Sequence, residues 1–221
     1  MGSLDSHAAS AFQYRVRRRL TLDEKEAAIE FIPATILEPL SFADLFVRDA
    51  PVEIDIGCGD GTFLAALATQ NSARNFLGIE RLAGRVRSVC RKAARLQLAN
   101  VRVLRIDAAF ALKELIPAGS VFAIHLLFPD PWPKRRHHRR RTVTPDFLAA
   151  IHRALANDGR LHLATDHEDY FYSIRRLVSD SALFERSHEA MEFPRSRFEQ
   201  NFAANGAPIY RLVLRKISPV E

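Results

Sequence analysis

One run of this chain places a carboxylate directly beside a dense block of cations. The run Phe-Pro-Asp-Pro-Trp-Pro-Lys occupies residues 128–134, and every residue from 134 to 141 is Lys, Arg or His. Charged runs are usually solvated faces, but this one contains no acid, which favours a surface that holds phosphates. Asp130 stands at its start, between prolines that restrict the backbone. The combination predicts chemistry performed on a nucleic acid.

Further acids follow the predicted strands of an α/β sheet. Strand-like and helix-like segments alternate along the chain, which predicts an open, mostly parallel sheet with helices on both faces. Ligands of such sheets bind outside the carboxyl ends of the strands. Five acids fall at those ends, namely Asp55, Glu80, Asp107, Asp130 and Asp166. We therefore expect these carboxylates along one edge of the sheet.

The periodicity predicts the following elements. Strands are expected at 52–56, 76–80, 101–106, 121–128 and 160–164, with 183–189 and 209–216 as final strands that can pair antiparallel. Helices are expected at 62–69, 83–98, 109–115, 145–156 and 168–178. Thr144 is the predicted cap of the fourth helix, Pro145 its first residue and Gly159 its end.

A glycine-rich turn, Gly57-Cys58-Gly59-Asp60-Gly61, follows the first of these strands. It lacks the dinucleotide fingerprint and the Walker lysine, so a tight turn without a ligand is one interpretation. The acids favour another. Glu80 suits a ribose diol, Asp107 an adenine amino group and Asp55 a cationic amino-acid group. Carboxylates would repel a pyrophosphate, so an adenosine with an ammonium and a sulfonium fits best.

These motifs resemble a known family. The run EIDIGCGDGT, with GIE and RIDA, is similar to class I, Rossmann-like S-adenosylmethionine-dependent methyltransferases. The runs FPDPWPKRRHHRRR, ATDH and SRFEQ narrow the resemblance to bacterial tRNA (guanine-N7-)-methyltransferases, from about Arg15 to Arg215. The resemblance implies a mostly parallel seven-stranded sheet with helices on both faces and an antiparallel C-terminal strand. It also implies methyl transfer to N7 of a guanine at position 46 in the tRNA variable loop, with S-adenosylhomocysteine as product.

The resemblance assigns roles position by position. Asp130 is implied to be catalytic and to contact the donor. Cofactor binding is implied for Asp55, Gly57, Gly59, Glu80, Asp107 and Asp130. Substrate binding is implied for Lys134, Asp166, Ser196, Arg197, Phe198 and Glu199. RNA contact is implied for Arg136, His137, His138, Arg139, Arg140 and Arg141. Three positions depart from the family pattern, since Asp55 is often Glu, Ser196 often Thr and His167 often Trp.

Guanine N7 carries no proton, so we expect Asp130 to orient the base or stabilise its charge rather than to act as a base. Asp166 and Glu199 are candidates for the N1–H and N2–H₂ edge of the guanine. A second interpretation makes Asp166 an ordinary helix N-cap. A second interpretation of Trp132 makes it an aromatic residue packed in the core. No metal site is predicted, because no third ligand is spaced to join His137 and His138.

Three other functions stay open. Asp-Pro-Trp is similar to the loop of amino-methylating enzymes, although the Arg block and SRFEQ do not belong to that pattern. A non-catalytic RNA-binding protein on the same fold would have lost the cofactor acids. A small-molecule methyltransferase would not need the Arg block.

Composition sets the remaining bounds. The chain has 221 residues and a net charge of +6, with a second basic cluster at Arg15, Arg17, Arg18 and Arg19. We expect a disordered or vector-derived N-terminus at 1–14 and one methyltransferase domain at 15–221, made of a basic arm with helices (15–48) and the catalytic α/β core (49–217). The two cysteines suggest neither a disulfide framework nor zinc, which favours the cytoplasm. Neither a signal peptide nor a membrane span is predicted. The expected partner is tRNA, with no obligate protein partner and either a monomer or a homodimer.

Overall fold

The computed structural model describes residues 22–187, 193–194, 196, 199–200 and 206–217. Its strands are β1 Glu30–Phe31, β2 Val52–Ile56, β3 Asn75–Glu80, β4 Val101–Arg105, β5 Val121–Leu127, β6 Leu155–Thr165, β7 Phe184–Arg186 and β8 Tyr210–Lys216. Its α-helices are α1 Leu22–Ala27, α2 Phe42–Leu45, α3 Thr62–Gln70, α4 Ala83–Arg95, α5 Ala108–Phe110, α6 Pro145–Ala154 and α7 Glu168–Ser181. A π-helical turn, Ala111–Leu115, continues α5, and a 3-10 helix spans Arg135–Arg140.

The strands form one mixed sheet in the order β1, β4, β3, β2, β5, β6, β8, β7. The first six run parallel, and β8 pairs antiparallel with both β6 and β7. The chain winds from β2 through β3 to β4 on one side, then crosses to β5 on the other side of β2. The β2–β5 boundary is therefore the switch point at which open α/β sheets bind ligands.

Apolar packing on both faces fixes the carboxyl ends of the central strands. Every residue of β2 and of β3 is buried, as expected for parallel strands covered on both sides. One apolar cluster includes residues of α6, α7 and the π-helical turn, and the other includes residues of α3 and α4. Side chains at the strand ends are thus held by a rigid core.

The predicted alternation and the antiparallel C-terminal pairing are confirmed, but the strand count is not. The described residues contain eight sheet strands rather than seven. The additional strand is β1, which pairs with β4 through Glu30 and Phe31. Two residues are too few to show a period of two, so the sequence carried no signal for this strand.

The predicted end of the fourth helix is also wrong. Thr144 caps α6 and Pro145 opens it as expected, but the helix stops at Ala154 and β6 begins at once. Residues 156–159 then bulge from β6, because Leu155 pairs with Val121 while Arg160 pairs with Ala123. The run Asn-Asp-Gly favours such a turn, and Asp158 has a φ of 60°.

Other boundaries shift by a few residues at most. The predicted strand 183–189 is seen as β7, and its residues 188 and 189 lie outside the described part of the chain. None of the helices described here combines the length and apolarity needed to cross a lipid bilayer. Residues 1–14 and the Arg15–Arg19 cluster are likewise outside the described residues.

Candidate active site

A cleft of about 120 Å³ opens at the switch point of the sheet, and we call it the carboxyl-edge cleft. The carboxyl ends of β2 and β5 form its floor. It brings together five of the predicted site residues, which are Asp55, Gly57, Gly59, Asp130 and Ser196. Its remaining lining residues are Cys58, Asp60, Phe63, Arg85, Leu127 and Phe128. The strand-end pattern therefore located one real cavity.

Asp55 is a buried acid in this cleft, with 3% of its surface exposed. Burial and, second, the negative charge of Glu80 raise its pKa to about 7. A carboxylate poised between its two charge states near neutral pH is stabilised as an anion by any cation that enters.

Glu80, the last residue of β3, ties the glycine turn to the start of α4. Its Oε2 accepts a hydrogen bond from the Gly59 amide at 3.2 Å. Its Oε1 accepts from the amides of Arg81 and Leu82 at 2.8 and 2.9 Å. The Arg85 guanidinium is 3.6 Å away. Glu80 therefore positions the turn, and of its two oxygens only Oε2 keeps a lone pair for a further donor.

The glycine turn depends on backbone conformations that favour glycine. Gly57 and Gly59 have φ values of 68° and 57°. A Cβ placed on Gly57 would meet no atom of the described residues within 4 Å. Gly57 is thus needed for its conformation rather than for packing inside the protein, and open space remains over its backbone.

Asp107 follows β4 as predicted, but it does not line the carboxyl-edge cleft. Its Oδ1 caps α5 by accepting from the amides of Ala109 and Phe110 at 3.0 and 3.1 Å. Its side chain lines a separate cavity of about 740 Å³, together with Lys113 and Arg140. Asp107 keeps one oxygen outside the cap.

The loop that carries Asp130 is conformationally restricted. Phe128 and Trp132 both have positive φ, at 54° and 44°, which non-glycine residues rarely adopt. The Phe128 amide donates to the Ala164 carbonyl at 2.7 Å. We call residues 128–132 the Asp130 loop. Such conformations cost free energy and persist only where surrounding contacts hold them.

The basic block begins directly after this loop and forms the 3-10 helix. Lys134 and most of the helix are exposed. The Arg140 guanidinium lies 5.0 Å from the Trp132 ring, and His137 meets the same ring edge-on at 5.8 Å. Trp132 therefore joins the Asp130 loop to the basic surface rather than packing in the core. Arg141 differs from its neighbours, because only 9% of it is exposed.

The predicted substrate segment reaches the cleft through Ser196. The Ser196 hydroxyl accepts the Glu199 amide at 3.1 Å, as an N-cap does. The Glu199 carboxylate pairs with Arg211 on β8. Arg197 and Phe198 lie outside the described residues.

Asp166 directly follows β6, as predicted, but it is not the cap of α7. The cap is His167, whose Nδ1 accepts the Tyr170 amide at 3.3 Å. The N-cap interpretation of Asp166 is therefore wrong. The cap also gives a local role to the histidine that departs from the family pattern.

Sequence reasoning missed a buried polar group beneath the cleft. His125 Nε2 lies 2.8 Å from Glu53 Oε2, and the Glu53 carboxylate also pairs with Arg74. The His125 ring stacks on His162 at 4.9 Å. Phe193 meets both imidazoles edge-on, at 5.2 and 4.6 Å. The signal was available, because Glu53, His125 and His162 are polar residues within largely apolar strand segments, which buried parallel strands rarely contain.

Solved structures share the fold. The 16S rRNA methyltransferase KamB aligns with a TM-score of 0.58 at 18% identity, covering 80% of this chain and 93% of that one. A SAM-dependent methyltransferase from Aquifex aeolicus aligns with a TM-score of 0.55 at 13% identity, covering 90% and 100%. These likenesses confirm the predicted methyltransferase fold.

Relatives identified by sequence specify the family, whereas the solved structures specify the fold. A family model described as "Putative methyltransferase" matches residues 49–212. The tRNA (guanine-N(7)-)-methyltransferase of Alkalilimnicola ehrlichii is 37% identical over 215 residues, 91% of each chain. The protein of that name from Leifsonia xyli subsp. xyli is 45% identical over 161 residues, 71% of each chain. The chain therefore belongs to the tRNA (guanine-N(7)-)-methyltransferase family, as its motifs predicted.

Proposed function

We propose that this chain transfers the methyl group of S-adenosylmethionine to N7 of a guanine in tRNA, at position 46 of the variable loop. The products are 7-methylguanosine and S-adenosylhomocysteine. The adjacency of two features carries the proposal. Asp130 lines the carboxyl-edge cleft, and Trp132, two residues later, contacts the basic 3-10 helix. A donor cleft and a phosphate-binding surface thus share one loop.

Residues in and around the cleft suit S-adenosylmethionine. An ammonium beside Asp55 would stabilise a carboxylate whose pKa burial has raised to about 7. Glu80 Oε2 has a lone pair left for one ribose hydroxyl. The open space over Gly57 admits a ligand against the backbone. Asp107 is proposed to accept the adenine amino group with the oxygen that its cap leaves over.

When bound, S-adenosylmethionine supplies an electrophilic sulfonium methyl group, and transfer moves its positive charge onto the purine. Guanine N7 attacks through an in-plane lone pair and carries no proton, so the site needs no general base. Asp130 is exposed at the lip of the cleft, where its charge favours the cationic purine. The remaining rate enhancement comes from the alignment of N7 with the methyl group.

Recognition of the base and of the RNA is assigned to neighbouring elements. Asp166 and Glu199 are proposed to accept the N1–H and N2–H₂ donors of guanine, which requires an unpaired or extruded base. Lys134 and the exposed cations of the 3-10 helix are proposed to bind tRNA phosphates. Each phosphate neutralised makes binding more sensitive to salt.

The test is methyl transfer from labelled S-adenosylmethionine to unmodified tRNA transcripts, with nucleoside analysis of the product. Wild type should give 7-methylguanosine. Asp130→Ala should lower the rate by about 10²- to 10³-fold while S-adenosylhomocysteine still binds. Asp180→Ala is the matched control, because Asp180 is exposed near the far end of α7 and should not matter.

Two outcomes would refute the proposal. One is a different methylated nucleoside, above all a base methylated on an exocyclic amino group. The other is no transfer to any tRNA by a protein that binds S-adenosylhomocysteine. Transfer that survives ribonuclease treatment would point instead to a small-molecule acceptor.

A further inference from the structure

We propose that Arg141 is a positioning residue that holds the Asp130 loop in its strained conformation, and that it does not bind RNA. The inference rests on the proposed function for its kinetic test but not for its spectroscopic one. It separates Arg141 from the exposed cations of the same basic block.

Arg141 points into the protein. Its Nε donates a hydrogen bond to the Pro131 carbonyl at 2.8 Å. Its guanidinium lies over the Tyr170 ring at 4.7 Å, and Tyr170 is fully buried in α7. The Nε–H and one flat face of the guanidinium are engaged inside the protein, and only 9% of the residue is exposed, so a phosphate in solvent can reach little of the N–H groups that remain.

The Pro131 carbonyl is the atom through which Arg141 is bonded to the Asp130 loop. It belongs to the peptide bond between Pro131 and Trp132, and Trp132 has a φ of 44°. Asp130 is the residue immediately before Pro131. A charged hydrogen bond is stronger than a neutral one, so Arg141 can offset the cost of the left-handed conformation.

Tyr170 provides the fixed base for this contact. Its hydroxyl accepts the Val143 amide at 3.2 Å, which ties α7 to the segment just after Arg141. Burial raises the pKa of Tyr170, and the negative charge of Asp130 adds to the rise. Tyr170, Arg141 and the Asp130 loop therefore form one connected group.

The contacts of Trp132 extend the group to the RNA-facing side. Arg140 and His137 touch the Trp132 ring, while Arg141 holds the carbonyl before it. A phosphate that draws Arg140 outward would act on a loop whose other end is fixed. Arg141 thus keeps Asp130 aimed at the cleft while its neighbours engage RNA.

The test compares Arg141→Lys and Arg141→Ala with Arg139→Ala. Lysine keeps the charge but cannot both bond the carbonyl and lie flat on Tyr170. Both Arg141 variants should lower kcat about ten-fold or more with little change in the KM for tRNA. The slope of log affinity against log salt should stay at its wild-type value. Arg139→Ala should instead flatten that slope by about 0.7–0.9.

Trp132 gives a readout that needs no substrate, because it is the chain's one tryptophan. Its fluorescence should move to longer wavelength, and acrylamide should quench it more, in both Arg141 variants but not in Arg139→Ala. Thermal unfolding checks that each variant is folded, and Arg141→Lys serves if Arg141→Ala is not. If wild type methylates no tRNA but the fluorescence changes as expected, the proposed function fails and the role of Arg141 stands.

The opposite pattern would overturn the inference. Arg141→Ala would then flatten the salt dependence as Arg139→Ala does, keep the wild-type kcat and leave Trp132 fluorescence unchanged. That result would make Arg141 a phosphate contact.

Discussion

At the residue scale, the charge of Asp55 depends on what occupies the carboxyl-edge cleft. Burial first, and Glu80 second, raise its pKa to about 7, so near neutral pH the unliganded protein holds much of it protonated. A donor ammonium binds only the ionised form. Binding therefore releases a proton at pH values below about 7 and proceeds without that cost above it.

We expect the affinity for S-adenosylhomocysteine to fall about ten-fold for each pH unit below 7. Asp55→Asn should bind more weakly at pH 8 and lose this dependence, whereas Asp55→Glu, with the acid common in the family, should keep it. Isothermal titration calorimetry from pH 6 to 8 measures both. The ligand's own amino group titrates alike in all three proteins, so the differences isolate position 55. An unchanged slope in Asp55→Asn would refute the assignment.

At the element scale, Ser196 and Glu199 connect the carboxyl-edge cleft to strand β8. The Ser196 hydroxyl accepts the Glu199 amide, and Arg211 of β8 pairs with the Glu199 carboxylate. The spacing Ser-x-x-Glu is itself the start of a capping box. A local capping motif and a proposed guanine contact thus use the same two residues.

Removing the cap should impair substrate binding more than chemistry. Ser196→Ala loses about 1 kcal/mol of capping, which should raise the KM for tRNA about five-fold. Ser196→Thr keeps the hydroxyl and should resemble wild type. Steady-state kinetics with tRNA transcripts compare the three. If Thr impairs the enzyme as much as Ala, packing rather than capping decides the position.

Some features of this site could be predicted from the sequence and others could not. Asp55 and Asp130 were placed together correctly, because parallel strands bring their carboxyl ends to one edge. The cap at His167 and the inward turn of Arg141 were not foreseen. A uniform Arg run carries no information about which side chain turns inward, since that depends on the distant ring of Tyr170. Strand β1 escaped because two residues show no period.

At the scale of the whole molecule, the buried groups His162 and Asp55 have opposite effects on the free energy of unfolding as the pH falls. Burial first, then the charges of His125 and Arg160, lower the pKa of His162 to about 2. Both of its ring nitrogens lack a hydrogen-bond partner among the described residues. Between pH 6.5 and 2 His162 binds a proton in the unfolded chain but stays neutral in the folded chain. Acid therefore weakens the fold through His162.

Asp55 acts in the other direction. Between pH 7 and 3.8 the folded chain protonates Asp55 while the unfolded chain does not, so acid strengthens the fold through this group. The two contributions overlap from about pH 4 to 6.5. A flat stability profile of the wild type across this range would thus conceal two large opposing terms.

Substitution should separate the two terms. In His162→Phe the ring stays stacked on His125, and a neighbouring cavity of about 50 Å³ can take the extra volume. The stability of wild type minus that of His162→Phe should fall by about 1–2 kcal/mol from pH 6.5 to 5. The stability of wild type minus that of Asp55→Asn should instead rise from pH 6.5 to 5. Because the two differences have opposite signs, each variant serves as the control for the other. Denaturant unfolding at several pH values provides both curves. Parallel curves for wild type and His162→Phe would mean that solvent reaches the His162 imidazole in the folded protein, which would refute its burial as the cause of the lowered pKa.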